Sequence, residues 1–305
     1  MVKIILLTGF LGSGKTTMMQ SLIASYSDEK IGLIINEFGE INIDGKLVSK
    51  DGIDMAELTN GSIFCACIQD KFVESLIEMS KKDIDYLFVE SSGLADPSNM
   101  DEIVRGIKGE TGDKLQLQGS ICIVDALNFI DLMDIMISIT RQIEHANAII
   151  VNKMDLVEDD SLEEIKKEIE KINPYAAVYP TTYCSLDIKK MVSAFVESHS
   201  KSTETTNTYE TRPYTFIIRA DEVLDYDNLN IFIKNLAKDT YRIKGFANTN
   251  KGPVEVSSVL ENVIIETWDD EVTSTEIVAI SKVGVKLMSE IIKQSNEFLE
   301  GKVKI

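Results

Sequence analysis

Residues 3–17 read KIILLTGFLGSGKTT: an apolar run, a glycine-rich turn, and the start of a helical pattern. Within it, residues 9–16 (GFLGSGKT) fit the spacing G-x-x-x-x-G-K-[ST]. Gly9, Gly12 and Gly14, with Ser13 between the last two, let backbone N–H groups turn inward around phosphate oxygens. The helix N-terminus that follows adds partial positive charge. Lys15 is then placed to reach the β- and γ-phosphates, and the Thr16 hydroxyl to bind Mg2+. Thr17 is a further contact, to the α-phosphate.

Outward from this loop, the first 200 residues alternate in period. Short aliphatic or β-branched runs fall at 3–7, 31–35, 86–89, 120–124, 148–151 and 177–179. Helical spacing fills 15–26, 70–81, 128–144, 161–172 and 186–197. Strands alternating with helices predict βαβ units, and nearly all-apolar strands predict a parallel sheet covered on both faces. The expected fold class is α/β, a P-loop NTPase with a mostly parallel sheet flanked by helices.

The composition then shifts. Residues 199–211 read HSKSTETTNTYET, with Tyr209 the single apolar side chain. A stretch that gains so little from burial is expected to be an exposed linker. Beyond it, strand-like runs near 214–219, 241–247, 254–258, 263–268 and 276–280 and helical runs at 227–238 and 283–299 predict a smaller α+β unit. The expected division is 1–198, a linker over 199–211, and 212–305.

Three further segments carry chemistry. Residues 152–155 read NKMD directly after an apolar run. The Asp155 carboxylate can accept from guanine N1–H and the exocyclic amine together. Adenine offers neither in that geometry and would leave a carboxylate unpaired. Asn152 would tie the loop down, and the Lys153 stem would cover the base plane. Residues 86–93 read YLFVESSG, an acid closing a buried strand with a glycine three places on. Glu90 can reach the Mg2+ shell, directly or through water, and the Gly93 N–H can sense the γ-phosphate. Residues 36–40 read NEFGE, a polar loop suited to ordering around Mg2+ and γ-phosphate. Glu37 is there to contact Mg2+ or to position water, two roles the sequence leaves open.

Charge and composition narrow the classes. The 305 residues carry 31 Lys+Arg against 50 Asp+Glu, for a net charge of −19. A broad basic face is not available, which argues against nucleic acid and against anionic membrane surfaces as partners. Four cysteines are too sparse for a disulfide scaffold and fit a reducing compartment. The strand at residue 3 leaves no room for a signal peptide before it, so a cytoplasmic location is expected.

Taken in order, these elements resemble the CobW-type GTPases, relatives of the metal-handling GTPases that serve nickel enzymes. The matching stretches are GFLGSGKTT (9–17), NEFGEINID (36–44), ELTNGSIFC (57–65), ESSGLADP (90–97), IVDA (123–126), QIEHANAIIVNKMDLV (142–157) and YRIKGF (241–246). The resemblance covers almost the whole chain. It implies a seven-stranded, mostly parallel P-loop domain with a smaller C-terminal domain. It also implies slow hydrolysis of GTP to GDP with Mg2+, with Lys15, Glu37 and Glu90 in the catalytic roles. That hydrolysis would be coupled to delivery of a metal or metal cofactor to a client metalloenzyme or cofactor enzyme. A homo-oligomer stays open.

One departure matters. The family commonly carries C-x-C-C after an Asn-Gly pair, whereas here Asn60-Gly61 is followed by Ser62-Ile63-Phe64-Cys65, so one cysteine stands in register. Cys67 lies two residues on. Thiolates at i and i+2 can point the same way in extended chain and hold a soft or borderline ion such as Zn2+ or Co2+. They supply half of a tetrahedral shell, and Glu37, Glu40, water or a client would complete it. Two partly buried, unreactive thiols are the other reading. Two functional alternatives accompany these readings: a GTPase chaperone for a cobalamin-type cofactor enzyme that binds no metal itself, and a P-loop small-molecule kinase. The kinase gives NKMD no role.

Overall fold

The computed structural model describes residues 1–36, 53–58, 69–133, 137–195 and 213–305. These divide into two compact units, Met1–Thr211 and Arg212–Ile305. Glu37, Glu40, Cys65, Cys67 and the stretch 199–211 lie outside the described residues.

The first unit is built on seven parallel strands: β1 (Val2–Gly9), β2 (Ile31–Asn36), β3 (Asp54–Leu58), β4 (Tyr86–Glu90), β5 (Leu115–Asp125), β6 (Ala148–Asn152) and β7 (Ala177–Pro180). Their order is β3-β2-β4-β1-β5-β6-β7. The chain thus winds outward in both directions from β1. Ligand crevices in such sheets open beyond the carboxyl ends of the central strands. Among the described residues of this unit the helices are α1 (Lys15–Ser25), α2 (Gln69–Met79), α3 (Met100–Gly106), α4 (Lys108–Thr111), α5 (Phe129–Met133), α6 (Ile137–Glu144), α7 (Asp159–Ile172) and α8 (Ile188–Ser193).

Two apolar clusters sandwich the sheet. On one side Met18, Met19 and Leu22 of α1 and Met191 of α8 pack against Ile5, Leu7, Phe88 and Ile150. On the other, Phe72 and Leu76 of α2 and Ile103 of α3 pack against Ile4, Leu6, Ile34 and Val89. Alternate β1 side chains enter opposite clusters, so a strand apolar throughout is what a two-faced core requires. Each such side chain, fully buried, contributes roughly 1.5–3 kcal/mol.

The fold class is as expected, with differences of detail. The sequence pattern reveals six of the seven strands; β3 was not among them. Asp54–Leu58 reads DMAEL, with two charged residues in five, because it is an edge strand beside β2. The helical run expected over 128–144 is described as α5 and α6.

The second unit is an antiparallel sheet of β8 (Thr215–Ala220), β9 (Thr240–Thr249), β10 (Gly252–Val259), β11 (Asn262–Thr267) and β12 (Thr275–Ser281), in the order β11-β10-β9-β12-β8. Helices α9 (Tyr226–Ala237) and α10 (Lys286–Phe298) cover one face, burying Leu229, Phe232, Ile233, Leu287 and Ile291 against Ile243, Val256 and Ile277. Among the described residues no helix is long and apolar enough to cross a membrane.

Candidate functional site

The carboxyl ends of β1, β4, β5 and β6 carry the motifs read from the sequence. The P-loop leaves β1 at Gly9, whose φ of 139° suits glycine. A Cβ there would stand 2.4 Å from the Ile123 carbonyl oxygen of the neighbouring strand. The loop ends at Gly14 (φ 112°), the residue before α1, where a Cβ would meet Asn152 Nδ2 at 2.5 Å. Both glycines are therefore fixed by close approach as well as by turn geometry. Gly12 also has positive φ.

Lys15 opens α1 and is buried, its Nζ donating to the carbonyls of Gly9 at 2.9 Å and Phe10 at 3.2 Å. The ammonium thus lies along the inside of its own loop. Thr16 and Thr17 follow in the first turn, both half-buried. The first N–H groups of a helix have no intrahelical partner. Ser13 is fully buried, and its Oγ has no hydrogen-bond partner among the described residues.

Glu90 closes β4, in register with Leu7 of β1 and Ile35 of β2, and is 3% exposed. Gly93 lies under the P-loop: a Cβ there would stand 2.6 Å from the Leu11 nitrogen. Asn36, at the end of β2, donates from Nδ2 to the Leu58 carbonyl and accepts the Ser92 N–H at 3.3 Å. Gln142 of α6 is fully buried, and its Nε2 donates to the carbonyls of Ala95 at 2.8 Å and Gly93 at 3.3 Å. The loop after β4 is thus held from two sides.

Asn152 closes β6. Its Nδ2 donates to the Ser13 carbonyl at 3.0 Å, while its Oδ1 accepts the Cys184 N–H at 3.0 Å and the Thr181 hydroxyl at 3.4 Å. One amide therefore joins the P-loop, the NKMD loop and the loop after β7. Lys153 has left-handed backbone (φ 63°, ψ 35°), and Asp155 is exposed. Asp155 lines an open cavity of about 570 Å³ with Ala126, Leu127, Ile130, Leu156 and Glu164 among its walls.

The remaining cysteines and histidine are now placed. Cys122 is interior to β5, and burial pushes its thiol up to about 12. Cys184 lies beside the P-loop with Sγ 3.7 Å from the Gly14 carbonyl oxygen, and burial raises it also to about 12. His145 lies just past α6, and burial lowers its pKa; Glu144 and Asp96 oppose that shift and Arg141 adds to it.

The structure thus brings together Gly9, Gly12, Ser13, Gly14, Lys15, Thr16, Thr17, Glu90, Gly93, Asn152, Lys153 and Asp155 at one end of one sheet. It adds residues for which the sequence supplied no role. Asn36, Gln142 and Asp125 each lie in a quoted motif, and each is a polar side chain beside an apolar run at a strand end or on a helix.

A parallel sheet with a phosphate-type loop at its topological centre defines the nucleotide-binding α/β class. The family model described as "CobW/HypB/UreG, nucleotide-binding domain" matches residues 3–180, and "Cobalamin synthesis protein cobW C-terminal domain" matches residues 214–295. The chain belongs to the CobW family. It is 31% identical over 193 residues to the zinc chaperone YjiA of Escherichia coli, covering 61% of this chain and 59% of that one. It is 27% identical over 237 residues to zinc-regulated GTPase metalloprotein activator 1 of Dictyostelium discoideum, covering 65% and 49%. The chain thus spans about half to three-fifths of the length of these relatives. Among solved structures, the Zn(II)-bound YjiA GTPase from E. coli aligns over 97% of this chain and 98% of its own, at 20% identity and a TM-score of 0.46.

Proposed function

We propose that this chain is a GTP-binding, slowly GTP-hydrolysing switch that assists delivery of a metal ion or metal cofactor to a client protein. The observation that carries the nucleotide half is the hydrogen bond from Asn152 Nδ2 to the Ser13 carbonyl. It joins the loop bearing Asp155 to the loop bearing Lys15, so base and phosphate recognition share one site.

In this reading the N–H groups of Gly12, Ser13, Gly14, Lys15 and Thr16 surround the phosphates, and Gly9 supplies the turn that lets them. Thr17 contacts the α-phosphate. Lys15 exchanges its loop carbonyls for the β- and γ-phosphates, which costs little because it is already desolvated beside them. Mg2+ favours oxygen ligands, and the Thr16 hydroxyl and buried Glu90 carboxylate are oxygen donors at adjoining element ends. Bound there, Mg2+ would neutralise charge on the phosphates. Gly93 contributes its N–H to the γ-phosphate. Glu37 either contacts Mg2+ or positions the attacking water. Asp155 reads guanine, with Lys153 over the base plane.

The metal half is supported by relatives whose names refer to zinc. Cys65 and Cys67 are the thiolates proposed to hold a transition metal, Zn2+ or Co2+, with two more ligands from elsewhere. A second reading keeps the GTPase and omits direct metal binding, serving a cobalamin-type cofactor enzyme. It is favoured by one observation, that a single cysteine stands in the family register after Asn60-Gly61.

The nucleotide reading is tested with Asp155→Asn, which exchanges one acceptor for a donor. GTP affinity is expected to fall far more than xanthosine triphosphate affinity, and unchanged GTP affinity overturns the guanine assignment. Phosphate release in Mg2+ tests hydrolysis. Zinc titration of wild type against Cys65→Ser/Cys67→Ser separates the two metal readings: tight stoichiometric binding lost in the double variant selects the first.

A further inference from the structure

The strand end carrying Asp125, part of the IVDA segment, has no role in the reading above. Asp125 closes β5 directly beside Asn152 at the end of β6. Its side chain is 4% exposed, and both of its carboxylate oxygens accept hydrogen bonds. Oδ2 accepts from Lys153 Nζ at 2.8 Å and from Asn128 Nδ2 at 2.9 Å, and Oδ1 accepts the Leu127 N–H at 3.1 Å. The adjacent Ala126 N–H donates to the Asn152 carbonyl at 2.9 Å. The carboxylate is therefore oriented by its own loop before the lysine reaches it.

Lys153 is the unusual partner. Its backbone lies in the left-handed region, which L side chains rarely adopt. Such a conformation persists where surrounding contacts over-determine it. Its side chain is 30% exposed, whereas that of the acid anchoring its ammonium is 4% exposed, so a partly open lysine is tied to a buried carboxylate. A charge-assisted bond to a pre-oriented carboxylate leaves that head group one favourable position.

We propose that Asp125 is a positioning residue for guanine nucleotides. It anchors the Lys153 ammonium so that the aliphatic stem is a fixed cover for the base plane next to Asp155. The proposal rests on the guanine-nucleotide reading. Asp125 acts through Lys153 and not on phosphate, so its removal weakens GDP and GTP by the same factor. It does not touch the base edge, so the preference for guanine over xanthine survives.

The test is a set of dissociation constants for GDP, a non-hydrolysable GTP analogue and xanthosine diphosphate. The proteins are wild type, Asp125→Asn, Asp125→Glu, Lys153→Met, the Asp125→Asn/Lys153→Met double variant and Asp155→Asn. Asp125→Asn retains an acceptor for the Leu127 N–H and so retains the local turn. Its loss of the two bonds that Oδ2 accepts, from Lys153 and Asn128, is expected to weaken GDP and the GTP analogue roughly tenfold each. Asp125→Glu, which keeps the charge, recovers part of that loss. Lys153→Met binds as weakly as Asp125→Asn, and the double variant no more weakly than Lys153→Met alone. A merely structural role for Asp125 would give losses that add. Unchanged affinity in Asp125→Asn, additive losses, or a loss confined to the GTP analogue each overturns the proposal. If Asp155→Asn converts the preference to xanthine while Asp125→Asn is silent, the positioning role alone falls. If Asp155→Asn leaves the guanine preference intact, the guanine reading falls and this proposal with it.

Discussion

Asn152 and Ser13 stand 139 residues apart in sequence and are joined by a 3.0 Å hydrogen bond, side-chain amide to backbone carbonyl. Both residues are buried, so neither group has ready access to solvent. The same amide accepts the Cys184 N–H, which makes it the common fastening of three loops.

Replacing Asn152 by Ala should therefore be costly. It strands the Ser13 carbonyl and the Cys184 N–H in the interior, at about 1–3 kcal/mol for each unsatisfied group. Denaturant unfolding of Asn152→Ala is expected to show a loss of roughly 2–5 kcal/mol, and Asn152→Asp, which sets a buried carboxylate oxygen against the Ser13 carbonyl, no smaller a one. Equal stability of wild type and Asn152→Ala would show that the fastening carries no weight.

Gln142 holds the loop after β4 through the Gly93 and Ala95 carbonyls. Gln142→Leu has similar volume and removes both donors. Stability is expected to fall by about 1–3 kcal/mol. On the proposed reading, GTP hydrolysis should fall more than GDP affinity, because the loop released is the one that meets the γ-phosphate. Single-turnover phosphate release alongside GDP titration separates the two effects.

Cys122 and Cys184 should resist thiol reagents in the native protein. With their thiols raised to about 12, the thiolate fraction near pH 8 is about one in ten thousand, before access is considered. Mass-mapped alkylation at pH 8 should mark these two sites after unfolding and not before. Rapid native labelling of Cys184 would mean that the loop beside the P-loop opens readily.

His145 gives stability a pH dependence of definite sign. Its folded pKa lies below the ordinary value of 6.5, mainly through burial, so the unfolded chain binds the proton more readily. The neutral form's contribution is complete above the unfolded value of 6.5 and is lost as pH falls from there through the lower, folded value. The melting temperature should drop between pH 7 and pH 5.5, and His145→Gln should flatten that drop. An equal slope in both proteins would remove His145 as its source.

Much of the fold was legible because its determinants are local. An apolar run leading into GFLGSGKT marks a strand, a turn and a helix start, and alternation of such runs with helical spacing marks a parallel sheet. Asp54–Leu58 escaped because an edge strand with one neighbour needs no continuous apolar run. Asp125 and Gln142 lay in plain view within IVDA and QIEHANAIIVNKMDLV, yet nothing local distinguishes a buried carboxylate from a surface one.

By itself, then, the sequence determined which residues could turn around phosphate and which carboxylate could read a base, since both follow from residue type and short-range spacing. It also placed the net charge of −19, as −15 in residues 1–200 and −4 in residues 201–305. Tertiary structure alone decided which of these groups meet. The Asn152–Ser13 bond, the Asp125–Lys153 ion pair and the Gln142 contacts to Gly93 and Ala95 all close over long stretches of chain. The first two form because strand order sets β5 between β1 and β6 and brings their carboxyl ends together, and the third because α6 packs its buried Gln142 on the loop after β4. A hydrogen bond depends on that separation in space to within a fraction of an ångström. Sequence spacing carries no such measure once the partners lie on different strands.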